Sequence, residues 1–370
     1  MEKEKSNKYI TLVLTHQCNL RCTYCYEKHK DNNVMTFETA KSILSYEMIL
    51  NDGTENVEID LFGGEPLLEF DLIKDIVEWS KTQVWSKNFI FFIVTNGVLL
   101  TREIKEWLKE NTRYIQAGLS LDGTKKMHDI NRCNSFDKID INFFREFYPE
   151  QPVKMTISQE SLPMLAEGVI FCHKLGFEIA CNLAYGIDWS AKQNEKILGE
   201  QLMLLIQYYL DNPGLKPCSL LDVYRLVNVS QSDSLNYRVC GAGWTTKAYD
   251  YDGINYACQH FLPLSVGEKK AKESLNIKFH GKVIADSMMN EDCLKCCLRN
   301  SCMTCYGANY AATGNIFEHD KNMCQLSKIQ FKAMAYFAAK MYEKNMLDLS
   351  DPKVASIIKA ALIINNEINC

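Results

Sequence analysis

Sixteen cysteines dominate the chemistry that this 370-residue sequence could perform. Three of them, Cys18, Cys22 and Cys25, form a C-x3-C-x2-C run, and eight more lie between Cys240 and Cys324. Thiolates are the ligands that iron–sulfur clusters require, and three thiolates leave one iron of a four-iron cluster without a protein ligand. A small molecule could bind and react at that iron. The first run therefore predicts a reactive cluster, and the second group predicts a separate metal region.

Zinc is the alternative metal for both groups. Structural zinc sites take four ligands, and His16 or His29 could add the fourth ligand to the first run. Paired C-x2-C units in the second group are also common in zinc ribbons. This alternative predicts a non-catalytic, cysteine-rich interaction protein.

Composition limits the partners and the compartment. The chain carries 41 basic and 46 acidic residues, a net charge of −5, and its lysines are scattered, so a nucleic-acid partner is disfavoured. No apolar run is long enough for a membrane span or a secretory signal. A high cysteine count without an export signal favours metal binding in a reducing compartment. We therefore expect a cytoplasmic protein with no membrane partner.

The elements that must position these cysteines alternate along the first 210 residues. Short β-branched or aromatic runs alternate with amphipathic segments, as in βα units, and such units predict an α/β fold whose parallel strands close into a full or partial barrel. Six units are expected. The predicted strands are residues 9–14, 57–61, 89–94, 115–120, 153–157 and 177–183, and the predicted helices are residues 37–50, 71–85, 102–109, 139–147, 162–175 and 192–210.

The alternation of strand-like and helix-like segments ends near residue 211, where Pro213, Gly214 and Pro217 follow. We expect a barrel over residues 1–210, a bridging region over 211–239, a cysteine-rich domain over 240–325 and a helical tail over 326–370. Residues 244–258 predict a β-hairpin, because Gly253 can take positive φ at its turn.

Three loops that follow predicted strands carry polar and glycine-rich motifs. They are Gly63-Gly64-Glu65-Pro66 after the second strand, Thr95-Asn96-Gly97 after the third, and Ser120-Leu121-Asp122-Gly123 after the fourth. In a parallel barrel such loops emerge at the C-terminal face, together with the cysteine run after the first strand, and active sites lie on that face. The order of the four loops therefore predicts one shared site.

The cysteine run and these loops together resemble the radical S-adenosylmethionine (SAM) superfamily. The resemblance implies that SAM chelates the open iron of a [4Fe–4S] cluster, and that reductive cleavage gives a 5′-deoxyadenosyl radical, which abstracts a hydrogen from the substrate. Glu65 would accept the SAM ammonium, Arg132 could pair with its carboxylate, and Tyr24 could lie near the adenine; Arg132 could equally be an ordinary surface arginine and Tyr24 a core aromatic. No catalytic base is identified. The implied SAM-binding residues are Tyr24, Gly63, Gly64, Glu65, Pro66, Thr95, Asn96, Ser120, Asp122 and Arg132.

The C-terminal cysteines resemble the SPASM domain of radical SAM peptide and protein maturases, which holds two auxiliary [4Fe–4S] clusters. On that pattern Cys240, Cys258 and Cys305 hold the first auxiliary cluster, and the ligands of the second are Cys293, Cys296, Cys302 and Cys324. The spacing departs from the pattern, because Cys302 and Cys305 are separated by two residues where three are usual.

The fourth ligand of the first auxiliary cluster is open. No cysteine lies between Cys240 and Cys258 to complete it, although Cys297, Cys218, Cys370 or a non-cysteine group could do so. An open iron there could bind a substrate thiolate.

The resemblance implies a peptide maturase that forms a thioether or a carbon–carbon crosslink. Sulfatase maturases are the alternative, but they carry an acidic residue directly after the second SPASM cysteine, where this chain has Gln259 and then His260. An amide cannot act as a general base. The implied partners are a ribosomally made, cysteine-containing precursor peptide and an electron donor such as flavodoxin or ferredoxin. Only eight residues precede the first predicted strand, so any leader recognition must use the barrel, the tail after residue 325 or a separate protein.

Overall fold

The computed structural model describes residues 7–230, 240–279, 290–302 and 304–368, so Cys370 lies outside the described residues. Eight strands are present in the described part. They are β1 Asn7–Thr15, β2 Asn56–Gly63, β3 Asn88–Thr95, β4 Ile115–Leu119, β5 Val153–Ile157, β6 Ile179–Leu183, β7 Thr246–Tyr249 and β8 Asn255–Tyr256.

A six-stranded sheet has the order β4-β3-β2-β1-β7-β8, and β5 and β6 form a second, two-stranded sheet. The neighbours from β4 to β7 pair in parallel, with Ile10 opposite Ile59 and Thr11 opposite Ala248. Only β8 runs antiparallel, because it returns from β7 through the predicted hairpin turn, where Gly253 has φ +84°. A single parallel bridge joins Ser120 to Lys154 at the start of β5.

Thirteen α-helices occur in the described ranges. Thr36 and Thr101 cap the N-termini of the helices that begin at Phe37 and Arg102, because their side-chain hydroxyls accept hydrogen bonds from backbone N–H groups. The helices are α1 Phe37–Ile49, α2 Phe70–Thr82, α3 Arg102–Glu110, α4 Lys125–Asn131, α5 Ile141–Phe147, α6 Leu165–Lys174, α7 Gln193–Asp211, α8 Pro263–Val266, α9 Glu268–Ser274, α10 Glu291–Leu294, α11 Tyr306–Thr313, α12 Lys321–Glu343 and α13 Pro352–Glu367.

Two compact units contain these elements. The first consists of residues 1–121, 132–154 and 241–279, and its core is built on the buried faces of β1 to β4. Within it, Glu47 of α1 is fully buried and bonds Lys8 of β1 and both Lys247 and Tyr249 of β7. One buried carboxylate therefore ties a helix to two neighbouring strands.

The second unit consists of residues 122–131, 155–240 and 280–370. Its long helices pack together, with α12 against both α7 and α13. The aromatic rings of Tyr209 on α7 and Phe337 on α12 lie 6.1 Å apart within this core. No helix of the described ranges combines the length and apolar character needed to cross a bilayer.

The predicted α/β fold class with a parallel sheet and a helical tail is confirmed. The six predicted strands correspond to β1 to β6, and the six predicted helices to α1, α2, α3, α5, α6 and α7, each with small shifts at the ends. Helix α4 was not predicted, and neither was the parallel pairing of β7 with β1. The four sequence-based domain boundaries stay predictions.

Candidate active site

The cysteine loop, residues 16–36, connects β1 to α1 and holds the thiols of Cys18, Cys22 and Cys25, all half-buried. The ammonium of Lys30 donates a hydrogen bond to Cys25 Sγ over 3.0 Å and lies near enough to Cys18 to interact with its charge. Burial raises the pKa of Cys18 to about 11. A buried thiol that resists ionisation needs a nearby positive charge to become a thiolate. An iron ion of a cluster would provide that charge.

Backbone contacts attach the glycine-rich loop after β2 to this cysteine loop. Gly64 N–H donates to Thr15 O over 3.1 Å, and Glu65 N–H donates to Gln17 O over 2.9 Å. The approach is so close that a Cβ at position 64 would overlap Gln17 O and press on Cys18 Cβ. The glycine is therefore required for the two loops to meet.

Glu65 lies 1% exposed at the centre of these loops. Its Oε1 accepts hydrogen bonds from Thr95 Oγ1 at 2.7 Å and from Leu67 N–H at 3.1 Å, and its Oε2 accepts from Asn96 N–H at 2.8 Å. Burial raises the pKa of Glu65, whereas these hydrogen bonds and the charge of Arg132 oppose the rise. Because each carboxylate oxygen can accept two bonds, Oε2 keeps capacity for one more donor.

Other implied SAM contacts lie around this carboxylate. The guanidinium of Arg132 sits 5.5 Å from the ring centre of Tyr24, a cation–π distance. Asn96 Nδ2 donates to Asn19 Oδ1 in the cysteine loop at 2.7 Å. Ser120 is 8% exposed, and its N–H donates to Thr95 O. The first unit thus brings together nine of the ten implied SAM-binding residues, of which Asp122 is the exception.

Asp122 belongs to the second unit and is fully buried. Its Oδ1 accepts from Thr156 N–H at 2.9 Å, and its Oδ2 accepts from Asn131 Nδ2 at 3.2 Å. The carboxylate therefore has a structural role, because these hydrogen bonds connect α4 to β5. A role in SAM binding stays a prediction for this residue.

A group of ionisable side chains, in which Glu27 is buried and the others are half-buried, was not found from the sequence. The ring of Tyr26 packs 4.3 Å from that of His260. Burial raises the pKa of Glu27 to about 7, opposed by the charges of Lys30 and His260, and burial lowers the pKa of His260 to about 4. Because Glu27 and Lys30 look like ordinary polar loop residues, nothing in their spacing separates them from solvent-exposed ones.

The C-terminal cysteines form two sets within the second unit. Cys293, Cys296, Cys302 and Cys324 lie close enough that burial and their mutual charges raise the pKa of Cys302 to about 12. Burial, together with the charges of Cys305, Cys302 and Cys240, likewise raises the pKa of Tyr185, which places this tyrosine among those three thiols. The first of these sets coincides with the predicted ligands of the second auxiliary cluster.

The remaining cysteines occupy varied places. Cys297 hydrogen-bonds the neighbouring Cys296, which lowers the pKa of Cys296. Cys258, predicted to ligate the first auxiliary cluster, is half-buried in the first unit, whereas Cys240 and Cys305 belong to the second. Cys172, Cys181 and Cys218 are buried and Cys133 is exposed.

The donor set fits iron–sulfur clusters. In the described ranges no group of three or more His, Cys, Asp or Glu side chains is arranged to hold one metal ion. A [4Fe–4S] cluster distributes its ligands over separate irons, so its thiolates surround a larger body. The cysteine loop offers thiols, and Glu65 and Arg132 offer the charges that an amino acid ligand on an open iron would meet. The ligand assignments stay predictions.

Comparison with known families bears directly on this site. Residues 12–141 match the family model described as Radical SAM superfamily. Residues 12–141 therefore carry a radical SAM domain, which confirms the resemblance seen in the sequence. Its cofactors are accordingly a [4Fe–4S] cluster and SAM.

Individual relatives specify the family further. The chain is 24% identical over 358 residues to the radical SAM cyclopropyl synthase TigE of Paramaledivibacter caminithermalis, a match that covers 90% of this chain and 75% of TigE. It is 31% identical over 150 residues to a cysteine-type anaerobic sulfatase-maturating enzyme of Clostridium novyi, covering 37% of this chain and 40% of that enzyme. An uncharacterized protein of Methanocaldococcus jannaschii, MJ0907, is 38% identical over 125 residues, and the match spans 42% of its length.

Solved structures share the fold. anSMEcpe with bound AdoMet and the Cp18Cys peptide superimposes with a TM-score of 0.67 at 19% identity, covering 92% of this chain and 99% of that one. SuiB of Streptococcus suis, bound to the precursor peptide SuiA, gives a TM-score of 0.56 at 19% identity, covering 85% and 75%. These structures show the shared fold, and the cysteine-rich C-terminal region, which is similar to a SPASM domain, is the part of this chain that would hold auxiliary iron–sulfur clusters.

Proposed function

We propose that this protein is a radical SAM maturase of a ribosomally made peptide. The observation that carries the proposal is the buried carboxylate of Glu65, which three protein donors orient beside the cysteine loop and near the guanidinium of Arg132. When bound to the reduced cluster, SAM supplies a 5′-deoxyadenosyl radical that abstracts a hydrogen atom from the peptide. The relatives named as a cyclopropyl synthase and a sulfatase-maturating enzyme support a polypeptide substrate.

The chain's own residues bind and orient the reactants. Cys18, Cys22 and Cys25 would hold the cluster and leave one iron open to SAM. Glu65 would accept the SAM ammonium on Oε2, because that oxygen keeps a free acceptor position, and Arg132 would pair with the SAM carboxylate. Tyr24, whose ring centre lies 5.5 Å from the guanidinium of Arg132, would lie near the adenine with the face of its ring that Arg132 does not cover.

A thioether or carbon–carbon crosslink is the product that we propose. Its support is the C-terminal thiol field, where the three-cysteine set of Cys240, Cys258 and Cys305 could leave an iron open to a substrate thiolate. The SuiB and anSMEcpe structures with bound peptides support a peptide as the partner. A flavodoxin or ferredoxin as electron donor, a separate leader-binding protein and a cytoplasmic location complete the proposal.

Sulfatase maturation is the second candidate, and the match to the C. novyi enzyme favours it. Gln259 stands where the resemblance places an acidic base, and its amide cannot accept a proton. Formylglycine formation on a sulfatase-derived peptide would therefore need a base elsewhere in the chain. For this reason we rank it below crosslink formation.

The test is anaerobic reconstitution with iron and sulfide, followed by incubation with SAM and dithionite and detection of 5′-deoxyadenosine by mass spectrometry. The proposal expects 5′-deoxyadenosine from the wild type and none from a Cys18→Ala, Cys22→Ala, Cys25→Ala triple variant. Protein that binds zinc in place of iron and yields no 5′-deoxyadenosine would contradict it, and would favour the cysteine-rich zinc protein. Tandem mass spectrometry of co-expressed precursor peptides then separates a crosslink, which joins two residues, from formylglycine, whose aldehyde forms a hydrazone with an added hydrazine; the loss of two hydrogens alone would not, because oxidation of serine to formylglycine has the same mass change.

A further inference from the structure

A cavity of about 400 Å³ lies within the first unit. Side chains of β1, β2, β3, β5 and β7 line it, along with Gln259, the residue after Cys258. The volume falls at the lower end of the range for small-ligand sites in proteins. It is large enough for one long side chain and too small for a folded partner.

The charges in this cavity do not balance. Glu58 and Asp60 of β2 both face it, and Lys154 of β5 is the one basic residue among its lining residues. Asp60 Oδ1 is buried and has no hydrogen-bond partner. Burial and the charge of Glu58 raise the pKa of Asp60 to about 7, while Lys154 opposes the rise. A buried carboxylate oxygen without a donor is costly, and a cationic ligand would remove that cost.

The walls suit the rest of such a ligand. Ile10, Phe92, Ile93 and Val94 contribute apolar surface to the same cavity. Lysine and arginine side chains bury their methylene stems on apolar surface while their charged ends reach polar groups. The apolar walls of the cavity suit the methylene stem of such a side chain, and its excess of carboxylates suits the charged end.

We propose that this cavity binds a lysine or arginine side chain of the substrate peptide, with Asp60 as the anchor of its charged end and Glu58 as the second carboxylate. The inference rests on the proposed function, because it assigns part of the peptide's sequence to a site in the same unit as the cysteine loop. It defines a basic residue near the modified position as the recognition feature. Asp60 acts here as a binding residue, and no step of the radical chemistry is assigned to it.

The test uses small probes in place of the unidentified peptide. Equilibrium dialysis against the reconstituted protein measures binding of N-acetyl-lysine methylamide, N-acetyl-arginine methylamide and the neutral N-acetyl-norleucine methylamide. At a pH above the pKa of Asp60, at least one cationic amide should bind about tenfold more tightly than the norleucine amide. The tighter of the two cations identifies the preferred side chain.

Variants separate the cavity from nonspecific charge. Asp60→Asn should reduce the affinity of the preferred cation to that of the norleucine amide, and Glu58→Gln should weaken it less. Asp75→Asn, which neutralises an exposed carboxylate on α2, should leave binding unchanged. Equal binding of cationic and neutral amides, or no effect of Asp60→Asn, would overturn the assignment, because a carboxylate solvated by water alone would behave in that way.

The two proposals fail in different ways. Release of 5′-deoxyadenosine by the same preparations, without discrimination between the amides, overturns the cavity assignment alone. Discrimination without SAM cleavage supports the cavity assignment and overturns the proposed function.

Discussion

At the scale of single residues, the site depends on carboxylates whose environments differ sharply. Glu65 is buried with three hydrogen-bond donors, whereas Asp60 is half-buried and its buried Oδ1 has no hydrogen-bond partner. The first arrangement orients a negative charge and the second leaves one uncompensated. Two predictions at this scale follow from the difference.

Glu65→Gln should weaken SAM binding about 10- to 100-fold, because hydrogen bonds to a charged partner contribute about 1.5–3 kcal/mol and the amide loses the charge. Equilibrium dialysis with labelled SAM on reconstituted protein measures the effect. Asp75→Asn is the matched control. Unchanged affinity in Glu65→Gln would remove Glu65 from the SAM site.

Asp60→Asn should raise the free energy of unfolding by about 1–3 kcal/mol above neutral pH, because it removes a buried, unpaired charge. The pKa of Asp60, raised to about 7, means that the folded state favours its protonated form. Its favourable contribution is therefore present in acid and is lost as the pH rises from the ordinary aspartate pKa towards about 7. Urea unfolding across that range should show a falling stability in the wild type and a shallower fall in Asp60→Asn, with Asp75→Asn following the wild type.

At the scale of elements, the contacts between loops and strands decide how accurately the cluster is placed. The glycine-rich loop after β2 meets the cysteine loop backbone to backbone at Gly64. Glu47 likewise connects elements of the same unit, because its carboxylate bonds α1 to the strands β1 and β7.

Gly64→Ala should displace the cysteine loop and lower the iron content by about four atoms per chain, the content of one cluster. Iron analysis after anaerobic reconstitution measures the loss. Gly214→Ala is the matched control, because a Cβ there would meet nothing within 4 Å. Full iron content in Gly64→Ala would show that the loop tolerates the added methyl group.

Glu47→Gln should destabilise the first unit by about 1–3 kcal/mol, since Lys8 and Lys247 lose a fully buried carboxylate although Lys8 keeps its ion pair with Asp52. The midpoint of urea unfolding reports the effect. Glu38→Gln, at an exposed position in the first turn of the same helix, should leave the midpoint within about 0.5 kcal/mol of the wild type.

Local sequence signals were sufficient for most elements and for the cysteine loop. The strands β1 to β6 have β-branched and aromatic runs, and α1 and α3 have clear caps, so each can be located from its own residues. The pairing of β7 with β1 could not be predicted, because it joins Tyr9 to Thr246 and depends on packing across more than half the chain. The cavity was missed for another reason. Glu58 and Asp60 alternate with buried Val57 and Ile59, a pattern that ordinarily indicates a solvent-exposed strand face.

At the scale of the whole molecule, the cysteines divide into sets that should behave independently in metal analysis. Three clusters correspond to about 12 iron atoms per chain. Cys293, Cys296, Cys302 and Cys324 lie in the second unit, where the charges of the other three act on Cys302, whereas the cysteine loop belongs to the first.

Cys324→Ala should therefore reduce the iron content by about four atoms while 5′-deoxyadenosine formation from SAM persists in the presence of dithionite. Cys172→Ala, which alters a buried thiol outside these sets, should keep the full iron content. Loss of SAM cleavage in Cys324→Ala, with the variant still folded by circular dichroism, would contradict the independence of the two sets.

The pairing of β7 with β1 also has a consequence for biosynthesis. Until residues 246–249 leave the ribosome, β1 is an edge strand with unpaired backbone groups along one side, and Glu47 lacks two of its partners. The cysteine loop begins where β1 ends, so its support is completed only after about two thirds of the chain has been synthesised. A nascent or truncated chain ending before β7 would expose a β edge open to intermolecular pairing, which makes early release or proteolytic loss of the C-terminal region a route to aggregation.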